Sequence, residues 1–187
     1  MKKELKKRMA NLKAVIFDAD GVLFSGKVLV SEQKSEIFKE RSLIDGQGIS
    51  LLRSAGIRIA FITGEKSGFL EAVGEKLNNL HSVKEGVWPP IKIFTGVQGK
   101  KKVEVAQLWL NEIGIAWEEC AAMGDDLSDY YLLQEVGVAF APAQAEDTIK
   151  KIVHYVTPRQ GGEGAIRDLS NLILSAKGID PVSLSLR

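Results

Sequence analysis

Short apolar runs recur along the chain, and a stretch with helical spacing follows nearly every one. Residues 13–18 (Lys-Ala-Val-Ile-Phe-Asp), 57–62, 120–123 and 138–140 are too short for globular helices and too apolar for half-exposed strands. They read as strands buried on both faces. Helical patterns fill the gaps at 48–55, 67–77, 103–113, 127–136 and 165–176. Phe69, Leu70, Val73 and Leu77 share one helical face, and Val105, Leu108, Trp109 and Glu112 define the faces of the next helix. Gly56, Gly114 and Gly137 stand where three of these helices should stop. Strand, helix, strand, with short links, predicts an α/β fold: a Rossmann-like parallel sheet between two layers of helices.

Two stretches break the rhythm. Residues 28–30 and 36–38 flank a polar segment at 31–35, which predicts a small β-hairpin flap spanning about 27–39. Residues 82–91, with Trp88-Pro89-Pro90, read as an irregular loop, and sequence alone does not say whether Trp88 packs or is exposed. The length of 187 residues predicts one domain, 1–187, with a core over about 12–177 and no separate cap domain. The charges balance at 25 Lys+Arg against 24 Asp+Glu, so no global field exists to hold nucleic acid or an anionic membrane. The apolar run at 14–17 is too short for a signal or membrane segment, and the basic residues 1–13 read as a solvated helical lead-in. One cysteine, Cys120, cannot make an internal disulfide, which fits a reducing, cytoplasmic setting. His81 and His154 are isolated and read as surface or core polar residues.

The acidic residues fall where chemistry would need them. Ligands of an open α/β sheet bind beyond the carboxyl ends of its strands. Asp18 and Asp20 follow the first strand, Thr63-Gly64 the second, and Asp125-Asp126 the Cys120 strand. Any one of these could merely cap a helix or a turn. Three strands delivering polar groups to one edge are not explained by capping. Gathered carboxylates repel unless a cation sits among them, and an oxygen-only donor set without His or Cys favours Mg²⁺. Such a site suits phosphate esters: a carboxylate can attack phosphorus, and a lysine can neutralise the transferring group. Gly99-Lys100-Lys101-Lys102, just before a helix, offers that lysine.

Asp18-Ala-Asp20-Gly-Val, Ile62-Thr63-Gly64, Lys100 and Gly124-Asp125-Asp126-Leu-Ser-Asp129 resemble, in order, the four motifs of the haloacid dehalogenase-like phosphohydrolases. The hairpin, Asp45-Gly46-Gln47-Gly48, and Thr157-Pro-Arg-Gln-Gly161-Gly162-Glu-Gly164-Ala-Ile-Arg167-Asp168 are similar to the capless phosphatases of 3-deoxy-2-ulosonic acid phosphates. That family includes 3-deoxy-D-manno-octulosonate 8-phosphate phosphatases, which serve lipopolysaccharide sugar synthesis, and nonulosonate (sialic-acid-type) 9-phosphate phosphatases.

The resemblance implies roles residue by residue. Asp18 is the expected nucleophile, and Asp20 the expected acid and base. Asp18, the backbone carbonyl of Asp20, and Asp125 are expected to hold Mg²⁺. Thr63 and Lys100 are expected on the phosphoryl oxygens. Asp126 is expected to sit behind the metal or orient Lys100, and Asp129 to steady the loop. Gly64, Glu65, Lys76 and Arg167 are the candidates for the sugar acid, while Lys101 and Lys102 read as solvated. Two positions depart from the octulosonate pattern, which places arginines where Ile44 and Glu65 stand. The Glu65/Lys76 pair looks more like the nonulosonate branch. A non-catalytic assembly module is the reading from another class, but it should lack some of these motif residues. The apolar hairpin and the resemblance together imply a homotetramer whose neighbours complete the lid.

Overall fold

The computed structural model describes residues 3–33 and 36–184. Part of the expected hairpin turn (Lys34, Ser35), the first residues of the basic lead-in (Met1, Lys2) and residues 185–187 lie outside the described residues. The lead-in forms helix α1 (Lys3–Ala10).

Strand β1 (Ala14–Phe17) is buried along its whole length, and its side chains alternate between two cores. Val15 and Phe17 face a cluster shared with α1, α2 (Leu43–Ser54), α3 (Phe69–Asn78) and α8 (Ala165–Lys177). Ala14 and Ile16 face a cluster shared with α5 (Lys100–Ile113), α6 (Tyr130–Glu135) and α7 (Asp147–Ile152). Each large apolar side chain so buried contributes about 1.5–3 kcal/mol, which is why the run contains no polar residue. Strands β4 (Arg58–Ile62), β5 (Lys92–Phe94), β6 (Cys120–Met123), β7 (Val138–Ala141) and β8 (Tyr155–Val156) complete a parallel sheet in the order β5-β4-β1-β6-β7-β8. Strands β2 (Val28–Val30) and β3 (Glu36–Lys39) form the separate antiparallel hairpin. A four-residue helix, α4 (His81–Lys84), lies between α3 and β5. No separate cap occurs among the described residues, and no described helix is long and apolar enough to cross a membrane.

Several elements were not legible beforehand. Helix α2 starts five residues before the expected 48. Ser42 caps it by accepting from the Ile44 amide at 3.1 Å, while Gly46 and Gly48 lower its apparent helix propensity. Gly48 is required there by packing, because a Cβ would lie 3.0 Å from the Arg167 Cα of α8. The stretch 82–91 begins in α4 and leads into the unexpected strand β5. Trp88 is buried, at 4% exposure, with the Arg53 guanidinium 5.8 Å from its ring centre. Arg53 itself is fully buried and ties this segment down, donating to Pro89 O at 2.8 Å and Leu77 O at 3.0 Å. Of the residues expected to define the faces of α5, Trp109 is buried and Leu108 is 70% exposed.

Candidate active site

The sheet order makes β1 central, with β4 on one side and β6 on the other, and the register aligns Phe17 with Phe61 and Met123. Adjacent strands lie about 4.8 Å apart, so the residues just past these partners must converge. Asp18, Thr63 and Asp125 do so at one edge, lining a cleft of about 390 Å³ together with Asp20, Glu65 and Asp126. The chain winds from β1 to β4 and β5 on one side and then crosses back to β6 on the other, so the strand order reverses beside β1, as at a ligand-binding switch point.

Asp18 is buried, and its amide donates to Met123 O at 3.1 Å, which continues the ladder one residue past the strand. The lysine that reaches it is Lys102, not Lys100. The Lys102 ammonium donates to Asp18 Oδ1 at 2.7 Å and Asp129 Oδ1 at 2.6 Å, and its side chain is fully buried. This corrects the expectation of a solvated Lys102. Lys100 is exposed and lies with its ammonium 5.1 Å from the centre of the Tyr131 ring. The three lysines are the first turn of α5 rather than a loop before it. The signal was present: Lys102, Ala106, Trp109 and Leu110 are the buried residues of α5, at spacings of four, seven and eight.

Asp129 anchors the loop after β6. Its Oδ1 takes the Lys102 ammonium, and its Oδ2 accepts from the Asp125 amide at 3.1 Å and the Asp126 amide at 3.4 Å. Asp126 is exposed and caps the next turn, accepting from the Leu127 amide at 2.6 Å. It touches no lysine among the described contacts. Asp125 lies over Gly21, whose φ is +78° and where a Cβ would fall 1.9 Å from Asp125 Oδ2, so only glycine fits.

Asp18, Asp125 and Asp129 each bring a carboxylate oxygen within 4.8 Å of the others. Burial, then the Asp129 charge, pushes Asp18 up to about 7 against the pull of Lys102. Burial, then Asp18, Asp129 and Asp126, pushes Asp125 up to about 8. One lysine does not satisfy this set, and a divalent cation fits it. Asp129 has its oxygens engaged, so the ligands open to a cation are Asp18 and Asp125.

Asp20 meets a partner that sequence reading missed. Lys39 of β3 donates to Asp20 Oδ1 at 2.9 Å and Oδ2 at 2.8 Å. Thr63 is buried, with its hydroxyl accepting from the Glu65 amide at 3.2 Å. Glu65 Oε1 accepts from Ser67, but Glu65 Oε2 is buried without a partner among the described residues. Gly64 lines the cleft against Gln98, a polar lining residue that no motif marked, and Ser128 of the fourth motif lines it too, with no role expected of it. Lys76 and Arg167 are not part of this cleft. Lys76 lines a separate groove with Arg41 and Ser50, and the Arg167 guanidinium donates to Asn171 Oδ1 at 3.0 Å. The glycine-rich segment supports the site from behind. Asp45 accepts from the Gly164 and Arg167 amides, and Gln144 bridges Gly21 O and the Gly161 amide.

A profile of haloacid dehalogenase-like hydrolases matches residues 67–167. The 3-deoxy-D-manno-octulosonate 8-phosphate phosphatase of Yersinia pestis is 34% identical over 170 residues, 91% of this chain and 83% of that protein. The chain belongs to the haloacid dehalogenase-like hydrolases. Solved members of this family superpose along nearly the whole length. The crystal structure of the Yersinia pestis phosphatase matches with a TM-score of 0.81 and 32% identity, covering 94% of this chain and 88% of that one. That of the Moraxella catarrhalis 3-deoxy-D-manno-octulosonate 8-phosphate phosphatase, in complex with magnesium, phosphate and KDO, matches at 0.82 and 26%, covering 95% and 94%. The chain is thus a phosphoric monoester hydrolase by its family and by the acidic edge that the fold builds.

Proposed function

We propose that this protein is a Mg²⁺-dependent phosphatase of a 2-keto-3-deoxy sugar acid phosphate, foremost 3-deoxy-D-manno-octulosonate 8-phosphate. The observation that carries the reading is the convergence of Asp18, Thr63 and Asp125 at one sheet edge, with Lys102 buried against Asp18. The relatives named for this substrate, at 32–34% identity, support the sugar acid. Asp18 attacks phosphorus, and the bond to the sugar oxygen breaks to give an aspartyl-phosphate. Asp20 gives its proton to the departing oxygen and then takes one from the water that attacks the phosphoaspartate. Thr63 and Lys102 balance charge around the phosphoryl group, with Lys102 in the role expected of Lys100. The Asp18 carboxylate, the Asp20 backbone carbonyl and Asp125 would hold Mg²⁺, which would draw off phosphoryl charge. Asp129 and Asp126 shape the loop that carries Asp125.

One domain carries this activity, with its core at 12–177 and the flap at 27–39. The flap exposes Leu29 (63%), Val30 (59%) and Phe38 (63%), which supports a homotetramer whose neighbours cover the cleft. A cytoplasmic location follows from the proposed substrate and the free Cys120.

A second reading, a nonulosonate 9-phosphate phosphatase, is favoured by Glu65. Its unpartnered buried oxygen suits a substrate hydroxyl, in a position where the octulosonate pattern has arginine. Comparing kcat/KM for the octulosonate 8-phosphate and sialic-type 9-phosphates decides between them. Absence of turnover on any phosphomonoester with Mg²⁺ would return the chain to a non-catalytic module.

A further inference from the structure

Lys39 ends the hairpin strand β3, and its side chain behaves unlike its neighbours. Ile37 and Phe38 are 45% and 63% exposed, whereas the Lys39 side chain is 1% exposed. Its ammonium gives both short bonds to Asp20 and lies 3.2 Å from Glu36 Oε2 and 3.6 Å from Glu65 Oε1. The rings of Phe24 and Phe69 flank it at 5.7 and 5.9 Å. Burying an ammonium costs several kcal/mol unless it is well paired. A lysine that served the hairpin alone could stay at the surface with Glu36, three residues before it. This one reaches across 19 residues of sequence to Asp20 and across to the Glu65 loop.

The bidentate contact has a directional consequence. A carboxylate has about four lone-pair sites on its two oxygens. An ammonium astride both oxygens uses one site on each and restrains the swing of the group. Asp20 at the same time lines the cleft. We propose that Lys39 is a positioning residue that holds the Asp20 carboxyl group in the orientation from which its protonated form gives a proton to the leaving oxygen and its carboxylate form then takes one from the attacking water, so that the flap contributes to the chemical step. This rests on the phosphatase reading above.

The test compares esters with different need for a proton. An alkyl phosphate such as glycerol 1-phosphate expels a poor leaving group and needs the acid. p-Nitrophenyl phosphate expels a stable phenolate and needs it little. In each case kcat/KM reports the steps up to transfer of the phosphoryl group. Lys39→Met should lower kcat/KM for the alkyl ester about 100-fold, within the range for a positioned acid, and for the aryl ester at least about tenfold less. In an Asp20→Asn background, Lys39→Met should add no further discrimination between the esters. Lys39→Gln must show the same split if Lys39→Met melts too early to assay. Equal losses on both esters, or none on the alkyl ester, would overturn the role of Lys39 alone. A wild-type protein inactive with Mg²⁺ on both esters and on the octulosonate 8-phosphate, which otherwise serves as the alkyl ester, would overturn the phosphatase reading and this role with it.

Discussion

Two buried lysines frame the cleft, and they come from opposite kinds of structure. Lys102 stands on the buried stripe of a 14-residue helix, so the packing of Ala106, Trp109 and Leu110 sets its position. Lys39 hangs from a two-stranded ribbon whose outer face is apolar and exposed. Each ammonium bridges carboxylates from different loops: Asp18 and Asp129 for Lys102, Asp20 and Glu65 for Lys39. An isolated hairpin is marginal in water, whereas the helix shares the full core. The difference separates a rigid side, which carries the nucleophile, from an adjustable side, which carries the acid and the substrate loop.

The largest effect should come from the rigid side. Asp18→Asn is expected to lower kcat at least about 10⁴-fold with the fold retained, measured by single-turnover kinetics and circular dichroism. Substantial turnover in that variant would remove the nucleophile from the scheme. Next, Lys102→Met leaves Asp18 and Asp129 buried without their cation. Stability should fall by about 3–5 kcal/mol in urea unfolding, and kcat by about 100-fold. Lys100→Ala should stay within about twofold in both measurements, because Lys100 is exposed and its ammonium lies over the Tyr131 ring. The reverse ranking of the two lysines would break the comparison.

On the adjustable side the effect should fall on binding. Glu65→Gln is expected to raise KM for the sugar acid phosphate about tenfold, equivalent to about 1.4 kcal/mol, and to raise it less for p-nitrophenyl phosphate. An equal change on both substrates would place Glu65 in general folding instead.

The smallest effect is one of pH. Asp18 and Asp125 have folded-state values of about 7 and about 8, above the ordinary 3.8, chiefly through burial and then like charge. A carboxyl whose proton is held more tightly when folded contributes stability below its unfolded value and loses it as pH rises through the folded one. The metal-free protein should therefore lose a few degrees of Tm between pH 5 and pH 8 in chelator. Mg²⁺ should restore more at pH 8 than at pH 5, because it replaces the protons at that site. Calorimetry showing the opposite slope would sink the account of the acidic edge.

Much of the fold was legible because burial on both faces leaves a plain record: β1, β4, β6 and β7 lie where the apolar runs stand. Strands β5 and β8 were not. They are short edge strands, partly exposed, and so carry a weak apolar signal. Helix α2 was truncated in the reading because Gly46 and Gly48, the second packed against α8, resemble a break. Of the site, the residues that follow central strands were readable from spacing alone. The lysine was readable in kind but not in position, since the run of three hides which one faces inward until the buried face of α5 is known.

The sequence by itself determined the parallel α/β order, the acidic edge, and the family to which the chain belongs. These depend on local periodicity and on residues that sit one or two steps past a strand. Tertiary structure alone decided that Lys102 meets Asp18, that Lys39 meets Asp20, that Glu65 buries an oxygen with no partner among the described residues, and that Lys76 and Arg167 stand apart. Those contacts join residues from different elements, such as the 84 positions between Asp18 and Lys102. No local propensity encodes such a distance; it is set by how the helices and the hairpin pack on the sheet.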